Sequence, residues 1–457
     1  MDHSIDAVRR AVTVLPGAGR TWLLAWLLAG LAAAPAAAQT EPAKLALLFR
    51  DIYGPNGLIV NSEAVLPDGS THSAHFNSAF QSNFTQFNIA LASQLTSLPL
   101  PSPASGFTYA FDSTTGTFRR STQSFGPILA ERAETIGRGQ VSFGYNFQYF
   151  SFDTIEGVDL SRVPAAFTHD EFDLGGGRRD VVTTINAVEA TVGQMTGVFT
   201  YGVTDRLDVS IAVPVVRTTL NVVSRATVQR LGTGDQLAVH FFRNPDLPGG
   251  YGSDRQFTAR GTASGLGDII LRAKGTVFRE GHRGLAAGVD LRLPSGDEQD
   301  LLGTGAPGVR GFAALSLLHG RFSPHFNVGY QWNGSSVLGG DISTGAKGDL
   351  PDQFSYAVGA DYGLSPRVSL AADLLGRHVI DSPRLITRPF PVQGDFGSAV
   401  FDDIAFEQGS FSALDGAAGV KVNVGRRMLI NFNLRFKLND NGLGDRVTPL
   451  IGFEYGS

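Results

Sequence analysis

The sequence predicts an all-β protein: a transmembrane antiparallel β-barrel of about 12 strands, preceded by a partly helical, plug-like N-terminal segment. Three observations predict this fold. Segments of alternating polar and apolar residues recur from about residue 138, the connections between them are alternately short and long, and the chain opens with an export leader. The predicted domains are a signal peptide (1–38), a plug or hatch region (39–137) and an outer-membrane β-barrel (138–457).

Alternation is clearest in residues 322–333 and in NFNLRFKL, residues 431–438. Successive side chains of a strand point to opposite faces, so each segment has one apolar and one polar face. About twelve comparable segments lie near residues 138–155, 181–203, 206–229, 264–279, 284–296, 309–319, 321–333, 353–364, 366–380, 410–424, 427–439 and 446–456. An even number of strands is expected of a bacterial barrel.

The connections between these segments are of two kinds. The short ones are TDR from Thr204, EGHR from Glu280, HGR from His319, SPR from Ser365 and GRR from Gly425. The long ones cover 156–180, 230–263, 297–308, 334–352 and 381–409, with a shorter one at 440–445. Tight turns at one end and long loops at the other are typical of outer-membrane barrels.

The apolar faces predict what surrounds the barrel. Nearly every strand has one, yet no segment is apolar on both faces and able to cover them, so we expect lipid outside and a polar lumen inside. In hydrocarbon, only a helix or a closed barrel satisfies its backbone polar groups. Aromatic residues on the apolar faces near strand ends would form girdles: Tyr330, Trp332, Tyr362, Phe453 and Tyr455. The alternative, a secreted β-sandwich or propeller, would need covering strands.

The first 38 residues predict export. Arg9, Arg10 and Arg20 precede an apolar run, and Ala36 and Ala38 complete a cleavage pattern, which favours a signal peptide over a retained anchor. We therefore expect the chain in the bacterial cell outer membrane. Its expected partners are outer-membrane lipid, periplasmic chaperones, the barrel insertion machinery and a small hydrophobic solute.

Composition argues against several functions. The net charge is −5 without a basic cluster, so we expect no nucleic-acid partner. The chain has no cysteine, which removes disulfides, thiol nucleophiles and Cys metal sites. No G-x-S-x-G or H-E-x-x-H motif occurs, so we expect no enzyme activity, cofactor or metal. The acidic loop 294–300 favours solvated charge over a divalent cation site, and the outward His378 favours an interfacial side chain over a lipid-facing hydrolase.

Residues 76–95 predict an amphipathic helix ahead of the barrel. Its apolar face, a candidate hydrophobic gate, comprises Phe76, Phe80, Phe84, Phe87 and Leu91, at steps of three and four. The opposite face is rich in Gln, Asn and Ser, which suits a polar lumen and favours a hatch over a membrane-surface or partner-binding helix. Residues 107–120 predict a hairpin of the same plug.

Polar residues of the strands should line the lumen. The candidates are Arg272, Lys274, Asp290, Arg292, His325, Asn327, Asp373, Arg377, Asn431, Asn433, Arg435 and Lys437. The same parity places Asp208, Asp361, Asp415, Lys421 and Glu454 inside. Both signs of charge are interspersed, so two interpretations stay open: a polar pathway, or ion pairs that stiffen the barrel. Arg272, Lys274, Asp290 and Arg292 are the expected ion-pair network.

Three stretches, 265–278, 285–308 and 323–330, resemble the outer-membrane β-barrel family named for the MetA pathway of phenol degradation. The shared elements are a Gly-Leu-Gly-Asp strand start, a Pro-x-Gly-Asp strand end with a Leu-Gly-Thr-Gly loop, and an Asn-x-Gly-Tyr strand. Ser295 stands where the family has Thr. The chain is also distantly similar to FadL-type transporters of hydrophobic compounds, in which an N-terminal hatch precedes the barrel. The resemblance implies passage of hydrophobic or aromatic compounds and does not fix a substrate.

The expected function is therefore an outer-membrane channel or transporter that passes small hydrophobic or aromatic compounds through a plugged barrel. One alternative is a general hydrophilic porin, which solvated lumen charges would favour. Another is a structural or surface-interaction protein without a transport role, using the long loops 230–263 and 381–409.

Overall fold

The computed structural model describes residues 44–54, 58–60, 76–77, 90, 109–112, 117–120, 123–169, 179–342, 344–425 and 427–456. Within these residues the main sheet is a closed antiparallel barrel of twelve strands. They are β1 (Val141–Ile155), β2 (Val181–Thr204), β3 (Leu207–Gln229), β4 in two parts (Asp254–Leu266 and Ile269–Glu280), β5 (Arg283–Leu293), β6 (Gly308–Leu317), β7 (Phe322–Asn333), β8 (Gln353–Ser365), β9 (Val368–Gln393), β10 (Ser398–Gly425), β11 (Met428–Lys437) and β12 (Val447–Gly456).

Each strand pairs with the next along the chain, and β12 closes the barrel on β1. Leu450 lies opposite Gln148 and Gly456 opposite Ser142 in that last pairing. The predicted fold class and strand number are confirmed. We call the side of the short predicted turns the turn end and the side of the long connections the loop end.

Near the turn end, the outer wall is apolar and the inner wall polar. On β7, Val328 and Trp332 are each 49 % exposed, whereas His325 and Asn327 are buried. The predicted girdle residues Tyr330, Trp332, Tyr362 and Tyr455 are exposed. This arrangement matches a strand with lipid on one side and a polar interior on the other.

Toward the loop end the two faces exchange their chemistry. Strands β2 and β3 are 24 and 23 residues long, more than the roughly ten that cross a bilayer. Their inward side chains here are mostly apolar, and Leu220, Val222 and Val228 are buried. The outward side chains are mostly polar, and the hydroxyls of Thr219 on β3 and Thr262 on β4 lie 3.1 Å apart.

Two predicted loops are wrong in part, because strands extend into them. Residues 254–263 belong to β4, and residues 381–409 are strand except for 394–397. Beyond the bilayer a strand needs no apolar outer face, so the alternation that predicts strands is lost. Prolines 383, 389 and 391 lie where β9 pairs only with β10, and an edge strand tolerates them.

The remaining elements are short. They are the 3-10 helices Leu45–Leu47, Arg50–Tyr53, Leu160–Arg162 and Pro248–Gly250, and the strands Phe76–Asn77, Tyr109–Asp112, Thr117–Arg120, Val158–Asp159, Val163–His169, Phe242–Arg243, Tyr251–Gly252, Ser335–Asp341, Ala346–Asp349 and Leu443–Asp445. Strands Tyr109–Asp112 and Thr117–Arg120 pair, which confirms the predicted hairpin. No helix in the described ranges is long and apolar enough to span a bilayer.

The predicted gate helix differs at its first residue. Phe76 lies in a short strand, opposite His169, and not in a helix. This pairing satisfies its backbone while the ring is buried, 5.2 Å from the ring of His240. The other gate candidates, Phe80, Phe84, Phe87 and Leu91, lie outside the described residues, as does the predicted signal peptide.

Candidate functional site: an occluded lumen

All twelve predicted lumen residues lie on the inward face of the barrel. Arg272, Lys274, Asp290, Arg292, His325, Asn327, Asp373, Asn431 and Asn433 are buried, and Arg377, Arg435 and Lys437 are half-buried. Inward position follows from parity along each strand. Whether these residues serve a transport pathway stays a prediction.

Residues 123–138, just before β1, cross the lumen near the turn end, and we call them the lumen plug. Asp373 on β9 anchors this segment. Its Oδ2 atom accepts backbone hydrogen bonds from Ile128 at 3.1 Å, Leu129 at 2.6 Å and Ala130 at 3.0 Å. One carboxyl oxygen thus satisfies three consecutive backbone N–H groups of the plug.

Strands across the barrel continue this anchoring. Asn327 on β7 accepts from the Glu131 N–H at 2.6 Å and donates to its carbonyl at 2.8 Å. Asp208 on β3 accepts from the Ile136 N–H at 2.9 Å. The plug is therefore bonded to inward side chains from β9 through β3, and its backbone groups are satisfied although it has no regular secondary structure.

Two positively charged side chains of β4, Arg272 and Lys274, also bind the plug. Lys274 Nζ donates to the carbonyls of Arg132 at 3.2 Å and Glu134 at 3.0 Å. Arg272 bonds the Glu131 carboxylate and also forms a forked pair with Asp290, with N–O distances of 2.5 and 2.8 Å. Of the predicted ion-pair network, Arg272 and Asp290 thus pair directly, whereas Lys274 binds plug carbonyls.

A serine, a histidine and an aspartate form a buried chain beside the plug. Ser316 Oγ lies 2.8 Å from His325 Nδ1, and His325 Nε2 lies 2.6 Å from Asp361 Oδ1. Such a set can activate a nucleophile when the hydroxyl faces a substrate. Here Ser316 Oγ also accepts the Ala133 N–H at 2.8 Å, so the chain supports the plug.

A second N-terminal segment, residues 44–54 and 58–60, fills the loop end of the interior. Its side chains join one apolar core with the inward residues of β1, β2 and β3, and we call this the upper core. Tyr53 is buried there: its ring lies 5.3 Å from that of Phe167, and its hydroxyl lies 2.9 Å from Ser224 Oγ. The interior is thus closed by polar contacts at one end and by apolar packing at the other.

The motif residues around Asp268 fold the 294–307 connection inward between these two regions. Asp268 interrupts β4 and accepts hydrogen bonds from the Gly296 and Thr304 N–H groups at 3.1 and 2.9 Å. A Cβ on Gly303 would lie 2.3 Å from Asp268 Oδ1, so only glycine fits there. Ser295 Oγ donates to the Gly267 carbonyl at 2.7 Å, a bond that the family's threonine hydroxyl can also make.

Lys44 clasps the N-terminal segment to this connection. Its ammonium lies 3.0 Å from Asp297 and 2.9 Å from Asp300. Hydrogen bonds to Asp300 and Asp297 raise the pKa of Lys44 above its usual value. Burial would raise the pKa of Asp297, but the hydrogen bonds from Lys44, Asp300 and Gln299 together outweigh it and the pKa is lowered. Lys44 thus pairs with two of the three carboxylates of the acidic loop, and Asp297 stays exposed to solvent, consistent with the predicted solvated charge.

Other expectations concern metals and the outer wall. In the described part of the chain, no cluster of three or more His, Cys, Asp or Glu side chains is placed to hold a metal ion. His378 Nδ1 lies 3.0 Å from Ser412 Oγ on the exposed face of the neighbouring strand. The imidazole of His378 thus forms a hydrogen bond with a neighbouring hydroxyl through Nδ1, which agrees with the predicted interfacial side chain.

Sequence reasoning missed two parts of this site. The sequence of the lumen plug shows neither the hydrophobic period of a helix nor that of a strand. Its anchored atoms are backbone groups, which no residue type marks. The available signal was its two glycines, Gly126 and Gly137, which both adopt positive φ. Arg310 was also missed. It shares the inward face of β6 with Phe312, which hides the polar pattern there.

A closed barrel with an apolar outer belt and a polar, plugged interior defines the class of membrane-spanning β-barrels. Residues 165–374 match the model of the family described as "Putative MetA-pathway of phenol degradation", which confirms the predicted resemblance over that range. None of the curated proteins compared matches the chain.

Solved structures also resemble the chain. An outer membrane channel from Pseudomonas putida F1 is 15 % identical with a TM-score of 0.41, covering 71 % of this chain and 98 % of that one. The CymD monoaromatic hydrocarbon channel is 11 % identical with a TM-score of 0.34, covering 70 % and 89 %. The P. putida toluene transporter TodX is 10 % identical with a TM-score of 0.29, covering 70 % and 90 %. Similarity this low does not transfer a function.

Proposed function

We propose that this protein is an outer-membrane channel that passes small hydrophobic or aromatic compounds through a plugged barrel. The observation that carries the proposal is the upper core. The loop end of the interior is lined by buried apolar side chains such as Leu220, Val222 and Phe167, against which residues 44–54 and 58–60 pack. Binding regions for apolar solutes are concave and mostly apolar, with few polar groups.

In this proposal, residues 44–54 and 58–60 act as the entry gate. They are held by apolar packing and by the exposed Lys44 clasp, and exposed ion pairs contribute only about 0–1 kcal/mol. An apolar solute can replace the contacts that Leu45, Leu48 and Phe49 make in the upper core. A hydrated ion offers no such exchange.

The lumen plug is the second barrier. It is held by polar contacts, and it carries one poorly satisfied group: the guanidinium of the buried Arg132 makes no hydrogen bond to any residue that the structure describes. A buried charged group without hydrogen bonds costs several kcal/mol, so the seated plug is destabilised relative to a hydrated one. This favours a plug that can leave the lumen over one that is permanently fixed.

The proposal includes export and a membrane location. The leader of residues 1–38 would be removed by signal peptidase, and chaperones and the insertion machinery would deliver the chain to the outer membrane. The exposed apolar belt supports lipid surroundings, since the outer face of this barrel exposes Phe326, Val328, Phe432 and Leu434 at more than two-fifths of their surface. A channel without enzymatic activity accounts for the hydrogen-bonding roles of Ser316 and His325.

The first test is a reversible lock on the gate. A Cβ on Gly261 would lie 3.8 Å from Leu45 Cγ, and the chain has no other cysteine, so Leu45→Cys with Gly261→Cys can form one defined disulfide. We expect toluene uptake by cells expressing the double variant to fall to background when oxidised and to return on reduction. Leu45→Cys alone is the control.

Conductance provides the second readout. The mature chain, residues 39–457, should be nearly silent in a planar bilayer while showing heat-modifiable gel mobility, because the plug occludes the lumen. A steady ohmic conductance would instead identify a general hydrophilic porin. Toluene uptake that ignores the disulfide would overturn the gate.

A further inference from the structure

A cavity of about 180 Å³ lies inside the barrel against the lumen plug. Five guanidinium groups line it, from Arg272, Arg292, Arg310, Arg377 and Arg435. Three carboxylates line it as well, those of Glu131, Asp290 and Asp415. The lining therefore carries two positive charges in excess. Counting Asp268, which lies 3.7 Å from Arg292 Nε, still leaves one in excess.

The carboxylates are already engaged. Asp290 takes both its oxygens to Arg272, and Asp415 lies 2.7 Å from Arg435 Nη2. Arg310 reaches Asp290 only at 3.4 Å. Among the described residues, Arg292 Nη1 and Arg435 Nε find no hydrogen-bond acceptor, although both atoms are buried. Buried guanidinium donors without acceptors are costly, and an incoming anion would satisfy them.

One part of the remaining lining is apolar and is formed by Leu129 from the plug, Ile270 on β4 and Ala357 and Leu375 on β8 and β9. Uncharged polar side chains line the cavity as well, those of Asn327, Gln331, Gln353 and Ser355. The cavity is also the right size for one ring, since an apolar cavity of roughly 150 Å³ is known to take up benzene. An aromatic ring would lie on the Leu and Ile side and a carboxylate on the Arg side.

We propose that this cavity is a binding site for monoaromatic carboxylates. The inference deepens the proposed function by naming a substrate class, and it rests on that function only for the route by which the ligand arrives. Arg310 is the residue that the site leaves most available for the carboxylate, because its neighbour Asp290 is already paired with Arg272. The forked donor geometry of arginine matches a carboxylate bidentately.

The test is calorimetric titration of the detergent-solubilised full chain with benzoate and with benzyl alcohol, an uncharged molecule with the same ring. We expect benzoate to bind at least about tenfold more tightly. Arg310→Gln should weaken benzoate roughly ten- to hundredfold and leave benzyl alcohol unchanged. Arg310→Lys, which keeps the charge without the fork, should fall between.

Arg388→Gln is the matched control, because Arg388 is half exposed on β9 beyond the bilayer and lies outside the cavity. Heat-modifiable mobility verifies folding, and Arg377→Gln replaces Arg310→Gln if that variant does not fold. Equal affinity for the two ligands, or benzoate binding that neither variant weakens, would overturn the proposal. The gate test is independent of this one. If benzoate binds as expected but toluene uptake does not respond to the disulfide, the proposed function is refuted and the binding site is not.

Discussion

The turn end and the loop end of this barrel use the same strands with opposite faces. Near the turn end, Val328 and Phe432 face outward and Asn327 and Asn431 face inward. On the long strand β3, Leu220 and its neighbours face inward, and polar side chains face out. Strand geometry is the same in both regions, so the surroundings decide the pattern: lipid favours apolar outer side chains, and water favours polar ones.

The two ends also close the interior by different means. The lumen plug is held at the turn end by side-chain acceptors for its backbone N–H groups, with Asp373 as the central one. Residues 44–54 and 58–60 close the loop end by burying apolar side chains. The first closure depends on charge and the second on the hydrophobic effect. Substitutions can therefore open one end without the other.

The largest expected effect comes from a charge in the upper core. Leu220→Asp would bury an unpaired carboxylate among Val216, Val222 and Phe167, at a cost of about 3–5 kcal/mol. We expect a lower urea midpoint in lipid vesicles and loss of the gate. Thr219→Asp places the same charge one residue away, on the solvent-facing outer side of β3, and should change the urea midpoint little. Equal effects of both variants would refute the reversal of faces.

The next effect concerns the turn end. Asp373→Ala removes the shared acceptor of three plug N–H groups. We expect the free energy of plug docking to become less favourable by about 3 kcal/mol, a loss that is limited because water can solvate part of the released backbone. Single-channel recordings should show openings about a hundredfold more often. Asp373→Asn keeps one acceptor oxygen and should show an intermediate frequency. Silent recordings from a folded Asp373→Ala variant would show that the plug does not depend on this anchor.

The same comparison explains how much of the fold could be predicted. Strands that cross lipid must be apolar on one face, so residues 322–333 and 428–437 were predictable within a few residues. The first part of β4, from Asp254, and the upper parts of β9 and β10 face water outside and gave no such signal. What the sequence lacked was any mark of where the bilayer ends.

The site was predictable only in its side chains. Parity along the strands predicts that Asp373 and Asn327 face inward, and they do. Their partners could not be predicted, because the Ile128 N–H lies 245 residues from Asp373 along the chain and a backbone donor has no residue signature. The cavity needed the same long-range information, since six strands and the plug contribute to its arginines and carboxylates.

The smallest expected effect is that of the Lys44 clasp. Lys44→Gln removes one exposed ion-pair partner, worth about 0.2–1 kcal/mol, so a Leu48→Cys reporter in the gate should react with a thiol reagent up to about fivefold faster. Lys347→Gln, on the exposed strand Ala346–Asp349, is the control. The reaction rate of the Leu48→Cys thiol is measured with and without Lys44→Gln, and the ratio of the two rates is compared. The titration of the thiol affects both rates equally and therefore cancels in this ratio.

The clasp should also respond to pH at both ends of the scale. The pKa of Asp297 is lowered in the folded chain, so its contribution is present above about pH 4 and is lost as the pH falls through the folded value. The pKa of Lys44 is raised, so its contribution is present below about pH 10.5 and is lost at higher pH. The rate ratio should therefore be constant between these limits and fall as the pH drops through the lowered pKa of Asp297. A ratio that changes near neutral pH would mean that a different group holds the gate.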